Sequence, residues 1–159
     1  MKGLEDFLFP YILVQLISLL FLAAAIRNTR IARLMFSLLF FYASWYNMKT
    51  SLSNPIVYLD YAKMAIPLYR DFINGWFSSH ISEVVPLIAI GQFLIGTGML
   101  LKGRWVLMAC LGAIVFLLAI APLLVGSGFP FSLTVSAAAV LILIKDRRDF
   151  VWLAKPLKT

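Results

Sequence analysis

Residues 7–33 read FLFPYILVQLISLLFLAAAIRNTRIAR, an apolar run of about 20 residues that stops against Arg27, Arg30 and Arg33. At 1.5 Å of helical rise per residue, such a run covers about 30 Å, the thickness of a bilayer's hydrocarbon core. The same pattern returns along the chain. Lys102 and Arg104 divide the third apolar run from the fourth, and Lys145, Arg147 and Arg148 close the fifth. The chain has 159 residues, of which 62% are hydrophobic and 13% charged. A soluble domain carries about 25% charged residues. A soluble core of this size could not hide so much apolar surface, so the composition points to lipid as the solvent.

The apolar runs are 7–26, 31–48, 84–101, 105–125 and 130–145. They predict an all-α, multi-pass transmembrane helix bundle with five spans in a single membrane domain, residues 1–159. Ala23 and Ala25 offer a signal-cleavage pattern. Glu5 and Asp6 outweigh Lys2, however, and an Arg cluster follows, so a retained helix is expected. Run two ends in Tyr42, Trp45, Tyr46 and Asn47, aromatic and polar types that favour the head-group level. Ser53-Asn54-Pro55 reads as a helix start. Polar residues then recur at helical spacing (Asp60, Lys63, Arg70, Asp71), with Ile56, Leu59, Ala62, Ile66 and Ile73 between them. Segment 53–78 is therefore expected to be an amphipathic interfacial helix or broken cap, bent near Pro67. Ser78 to Ser82 read as a polar break, with Ser82 capping run three. Gly126-Ser127-Gly128 read as the end of run four, and residues 146–159 as a basic tail with a surface anchor at Phe150 to Leu153.

Ten of the fourteen Lys and Arg residues fall on one side of a five-span arrangement. Cytoplasmic loops carry the excess of basic residues, which predicts N-terminus out, C-terminus in, and segment 53–78 on the outer face. The net charge of +7 is thus a topology signal and a contact for anionic lipid, with no nucleic acid implied. A single cysteine, Cys110, excludes intramolecular disulfide and dithiol chemistry.

Polar groups within apolar runs are costly, so each raises a functional question. Gln92 lies mid-run, suited either to a quinone carbonyl or to an interhelical hydrogen bond. Gln15 and Ser18 in run one suit packing bonds. Asn47 and Lys49, with His80 at the same end, complete a candidate ligand cavity of Asn47, Lys49, His80 and Gln92. His80 with Glu83 makes no metal site, and none is expected. Gly91, Gly96, Gly98, Ala109 and Ala113 are small residues at helix-packing spacing. No catalytic pair of residues is visible.

The order of these features resembles the DoxX-like family of small four-helix membrane proteins. Two stretches carry the resemblance. One is Arg33 leading through an apolar helix to Ser44-Trp45-Tyr46-Asn47-Met48-Lys49 and Asn54-Pro55. The other is residues 88–101, IAIGQFLIGTGMLL, followed by a basic turn. It covers residues 31–150 and leaves 7–26 as an added N-terminal span. Gln92 stands where family members often have Glu. The resemblance implies a bacterial inner-membrane protein, in some members a small subunit beside a quinone-linked redox enzyme. The expected role is a non-catalytic membrane anchor or subunit without evident cofactor, quinone being the one suggested. A redox-enzyme subunit and further copies of the chain are the expected partners beside the lipid. The alternative is a binder or transporter of a small lipophilic molecule in an intrahelical cavity.

Overall fold

The computed structural model describes residues 4–152. Leu153 to Thr159, half of the basic tail, lie outside the described residues, as do the first three. The described chain is helical and contains no strand. Its long helices are α1 (Leu4–Arg27), α2 (Thr29–Ser53), α4 (Ser78–Leu100), α5 (Arg104–Ile120) and α6 (Phe131–Lys145); α3 (Pro67–Phe72) is a short connector. Each long helix packs against the next in sequence, and α1 packs on α6, so the five close into a ring.

The turns explain this arrangement. Only Asn28 separates α1 from α2; its side chain accepts from the backbone N–H groups of Arg30 and Ile31 and caps α2. Between α4 and α5, Gly103 adopts φ +60°, a left-handed turn that costs a glycine little. Such short links force antiparallel neighbours. Ser37 Oγ donates to Gly96 O and Ser44 Oγ to Ala89 O, so α2 and α4 run in opposite directions. Tyr11 reaches Phe129 O and Lys145 reaches Ile26 O, so α1 and α6 run parallel. All three basic clusters therefore meet at one end of the bundle.

Polarity is inverted relative to a soluble protein. The buried face of α2 includes Arg33, Ser37, Ser44 and Ser51, whereas Leu38 is 70% exposed and Trp45 57%. On α5 the buried residues include Ala109, Cys110 and Ala113, while Trp105, Met108 and Val115 face outward. Small and polar residues inside with large apolar residues outside is the pattern of helices packed in lipid, where close backbone approach drives association. Phe21, Phe36, Phe40 and Phe116 fill the remaining core with edge-on and offset ring contacts.

Three helical stretches are long and apolar enough to cross a membrane: Leu8–Arg27, Pro67–Leu100 and Arg104–Ser127. The chain therefore has the character of a membrane protein. α6 is apolar but has 15 residues. α2 has 25 residues and falls short on composition, because its inward stripe is polar.

Segment 53–78 is helical in pieces. A 3-10 helix spans Pro55–Lys63, α3 starts at Pro67, and a π-helical turn, Ile73–Phe77, runs into α4. Tyr58, Ala62 and Ile73 are buried. Tyr69 Oη donates to Ala119 O at 2.7 Å, and the Ile66 N–H donates to Pro122 O at 3.1 Å. The segment thus packs across the end of the bundle opposite the basic clusters.

Two expected boundaries move. α4 begins at Ser78, four residues before Ser82, and is interrupted by non-helical backbone at His80 (φ −124°, ψ 15°). The expected Ser78–Ser82 break survives as this kink, and a second irregular point falls at Gly75 in the π-helical turn. Run four stops being α-helical at Ile120 and tightens to a 3-10 helix over Ala121–Ser127, in which Pro122 supplies no N–H. Gly128 then closes it at φ +68°.

Candidate functional site

Two polar groupings stand out, one near each end of the ring. Near the capped end, Asn47 on α2 faces Gln92 on α4. Asn47 Nδ2 donates to Gln92 Oε1 at 2.8 Å, and Gln92 is 2% exposed. Tyr58, from the 3-10 segment, donates through its hydroxyl to Asn47 Oδ1 at 3.0 Å. Burial, aided by the nearby Tyr61 and Tyr46, pushes the Tyr58 hydroxyl up to about 12, so it stays a donor at neutral pH. The chain of donors runs Tyr58 to Asn47 to Gln92 and joins three elements.

The other two residues of the expected cavity make contacts of their own. The Lys49 ammonium lies over the Trp45 ring, 5.2 Å from its centroid. The His80 ring stacks on Trp76 with centroids 4.4 Å apart, and its Nδ1 is 2.8 Å from Trp76 O. The four residues therefore split into one buried pair and two separate aromatic contacts. Glu83 is exposed, and no group of three or more metal-ligating side chains occurs among the described residues. A different space lies beside the pair: an apolar groove of about 480 Å³ between α2 and α4, lined by Phe41, Ser44, Trp45, Met48, Ile90 and Phe93.

Of the small residues, Gly96 sits under the Phe41 ring, and Gly98 lies against Ala109 and the Trp105 carbonyl. Ala113 is fully buried, whereas nothing lies within 4 Å of a Cβ added at Gly91. Gln15 donates to Gly128 O at 2.8 Å and Ser18 to Gln15 O at 2.7 Å, so both polar groups of run one are hydrogen-bonded.

The second grouping lies at the basic end and centres on Arg33, 1% exposed. Its Nε donates to Met99 O and its Nη2 to Leu101 O. Nη1 donates to Asp146 Oδ1 at 2.9 Å and Asp149 O at 2.8 Å. The guanidinium thereby satisfies carbonyls at the C-terminal end of α4, which lack helical partners, and neutralises the carboxylate that follows α6. Asp146 also accepts from Thr29 Oγ1 and from the Arg148 backbone N–H at 2.6 Å. One side chain fastens α2, α4 and the chain beyond α6.

The sequence gives no pairing of Arg33 with Asp146, which lie 113 residues apart. A signal was present: Arg33, Ser37, Ser44 and Ser51 recur at multiples of helical spacing, marking a polar inward stripe. Tyr58 had no comparable signal, since its partner comes from a contact outside its own segment. Compared with protein-family models, curated proteins and solved structures, the chain matches none.

Gln92→Leu tests the hydrogen-bonded pair. It leaves the Asn47 amide without its acceptor, and interhelical bonds of this kind are worth about 0.6 kcal/mol and at most about 1.7. A small fall in unfolding midpoint in mild detergent is expected, with helix content by circular dichroism unchanged. Tyr58→Phe should cost a similar amount, and the two losses should be non-additive because they share Asn47.

Proposed function

We propose that the chain crosses a bacterial inner membrane five times, N-terminus outside, and serves as a non-catalytic anchor or small subunit of a quinone-linked redox complex. The observation that carries this is where the polar groups go. Tyr58, Asn47 and Gln92 bind one another, Arg33 spends its donors on backbone and Asp146, and the large apolar side chains face outward. The interior is devoted to holding helices together, and the outer surface is left for lipid or another membrane subunit. α2 offers an aromatic outer face of Tyr42, Trp45 and Tyr46 near its end. Such side chains suit both the head-group level and protein contacts. The convergence of Arg27, Lys102 and Lys145 with their neighbours on one end favours that end as the cytoplasmic one. The DoxX-like resemblance supplies the redox partner.

A second reading has its own observation. The apolar groove of about 480 Å³ beside Ser44 and Trp45 is large enough for a lipophilic ring, and Trp45 offers an aromatic wall. A quinone or similar molecule bound there would make the chain a small-molecule binder.

Purification from native membranes in mild detergent, followed by protein mass spectrometry and solvent extraction, separates the two. Co-elution of a flavin- or haem-containing oxidoreductase at fixed stoichiometry supports the subunit. A retained quinone without a protein partner, lost in Trp45→Ala, supports the binder. A homogeneous preparation holding neither contradicts both.

A further inference from the structure

At the basic end, a cavity of about 540 Å³ opens between the α1–α2 turn and the end of α6. Beyond the Arg33–Asp146 pair, four cationic side chains line it: Arg27, Arg30, Lys145 and Arg147. Asp149, exposed, also lines it, so four cations stand against one carboxylate outside the buried pair and the recess stays positive. Asp146 is already engaged by Arg33, Thr29 and the Arg148 N–H, so its charge is largely spent within the protein. Lys145 gives one donor to Ile26 O and has others available. Arg27 and Arg147 are exposed at the rim. The first turn of α2, with Thr29 and Arg30, forms one wall and adds the positive end of a 25-residue helix.

The surroundings of this cavity are apolar. Ile26 lines it and is 55% exposed, and Ile144, one residue before Lys145, is 73% exposed. Further along the same helices, Leu19 and Leu20 on α1 and Val140 on α6 also face outward. A polar, positively charged recess thus sits where two apolar helix faces end.

We infer that this recess binds the phosphate headgroup of an anionic phospholipid, whose acyl chains lie along α1 and α6. The shared chemistry is a phosphodiester or phosphate monoanion. Arginine guanidinium groups match phosphate oxygens with paired N–H donors, and a lysine adds a point charge. Basic pockets between membrane helices on the cytoplasmic side hold anionic headgroups in this way. The exposed Ile26 and Ile144 favour a lipid over free phosphate, because a free ion gains nothing from them. The inference rests on the membrane-embedded reading above. A chain that stays monodisperse without detergent would undo that reading, independently of any lipid result.

The test is native mass spectrometry of the full chain in detergent, titrated separately with phosphatidylglycerol, phosphatidylethanolamine and inorganic phosphate. Retention of one phosphatidylglycerol, at least about tenfold over phosphatidylethanolamine, is expected. Arg27→Ala/Arg147→Ala should weaken it by about 30-fold, at about a fivefold loss per basic residue near a membrane surface. Lys102→Ala/Arg104→Ala removes two charges from the same end but outside the recess and should retain the lipid. Circular dichroism checks that both variants are folded. Equal retention of both lipids, binding of phosphate without lipid, or equal loss in the two variants overturns the inference.

Discussion

Replacing Arg33 with Met lowers the unfolding midpoint in mild detergent by about 10 °C, or stops the folded protein from accumulating. Four hydrogen bonds disappear with the guanidinium: those to Met99 O, Leu101 O, Asp149 O and Asp146 Oδ1. The Asp146 side chain is 3% exposed, so its carboxylate is left buried without its counter-charge. Removing one partner of a buried ion pair costs about 3–5 kcal/mol. In a chain of this size each kcal/mol moves the midpoint by about 2–4 °C. Arg33→Lys should fail almost as badly, since a single ammonium cannot reach acceptors that a planar fork spans. Arg33→Met/Asp146→Leu should recover a large part of the loss, because no unpaired charge remains. Fluorescence-detected size-exclusion melting curves read all three. If the single variant melts within about 2 °C of the parent, Arg33 is a surface charge and no clamp.

Gly98→Val should be comparably damaging, by a different route. A Cβ at Gly98 would lie 2.8 Å from Ala109 Cβ and 3.0 Å from the Trp105 carbonyl oxygen. Neither neighbour is the end of a flexible side chain, so α4 and α5 must separate. In a lipid environment that contact cannot be replaced by hydrophobic burial, since tails and side chains are equally apolar. Overpacking costs about 1–3 kcal/mol or more, and even Gly98→Ala should lower the midpoint measurably. The internal control is Gly91→Ala in the same helix. Nothing lies within 4 Å of its new Cβ, and Ala is the better helix former, so a neutral or slightly raised midpoint is expected. If the two alanine variants melt alike, small-residue packing at Gly98 does not hold α4 to α5.

The helices themselves were legible in the sequence because bilayer thickness dictates long apolar runs, and basic clusters mark where they turn. The contacts were less legible. Apolar runs such as 105–125 carry no periodic signal when both faces are apolar, so the inward face of α5 had to come from its small residues. α2 was readable as a helix, yet its stripe of Arg33, Ser37, Ser44 and Ser51 was scattered among large apolar neighbours. The pairing of Asn47 with Gln92 depends on the register of α2 against α4, which single-chain patterns do not set. The residues Lys49 and His80 were grouped with that pair by their position near one end of the bundle. Each instead packs on a local tryptophan, Trp45 or Trp76, four residues earlier on its own stretch of helix. Both contacts are local, at helical spacing.

In the proposed topology, five helices carry the chain back and forth, with every basic cluster on the cytoplasmic side. Single-cysteine labelling measures this most directly. Cys110 is the sole cysteine and is buried, so Cys110→Ala supplies a background without it. Cysteines are placed one at a time at exposed positions: Asn28, Lys102 and Arg147 at the basic end, and Ser53, Ser79 and Pro130 at the other. With a membrane-impermeant maleimide on intact spheroplasts, Ser53→Cys, Ser79→Cys and Pro130→Cys should label at once. Asn28→Cys, Lys102→Cys and Arg147→Cys should label only after lysis. Labelling of Ser79→Cys and Lys102→Cys from the same side, or of Lys102→Cys in intact spheroplasts, would contradict it.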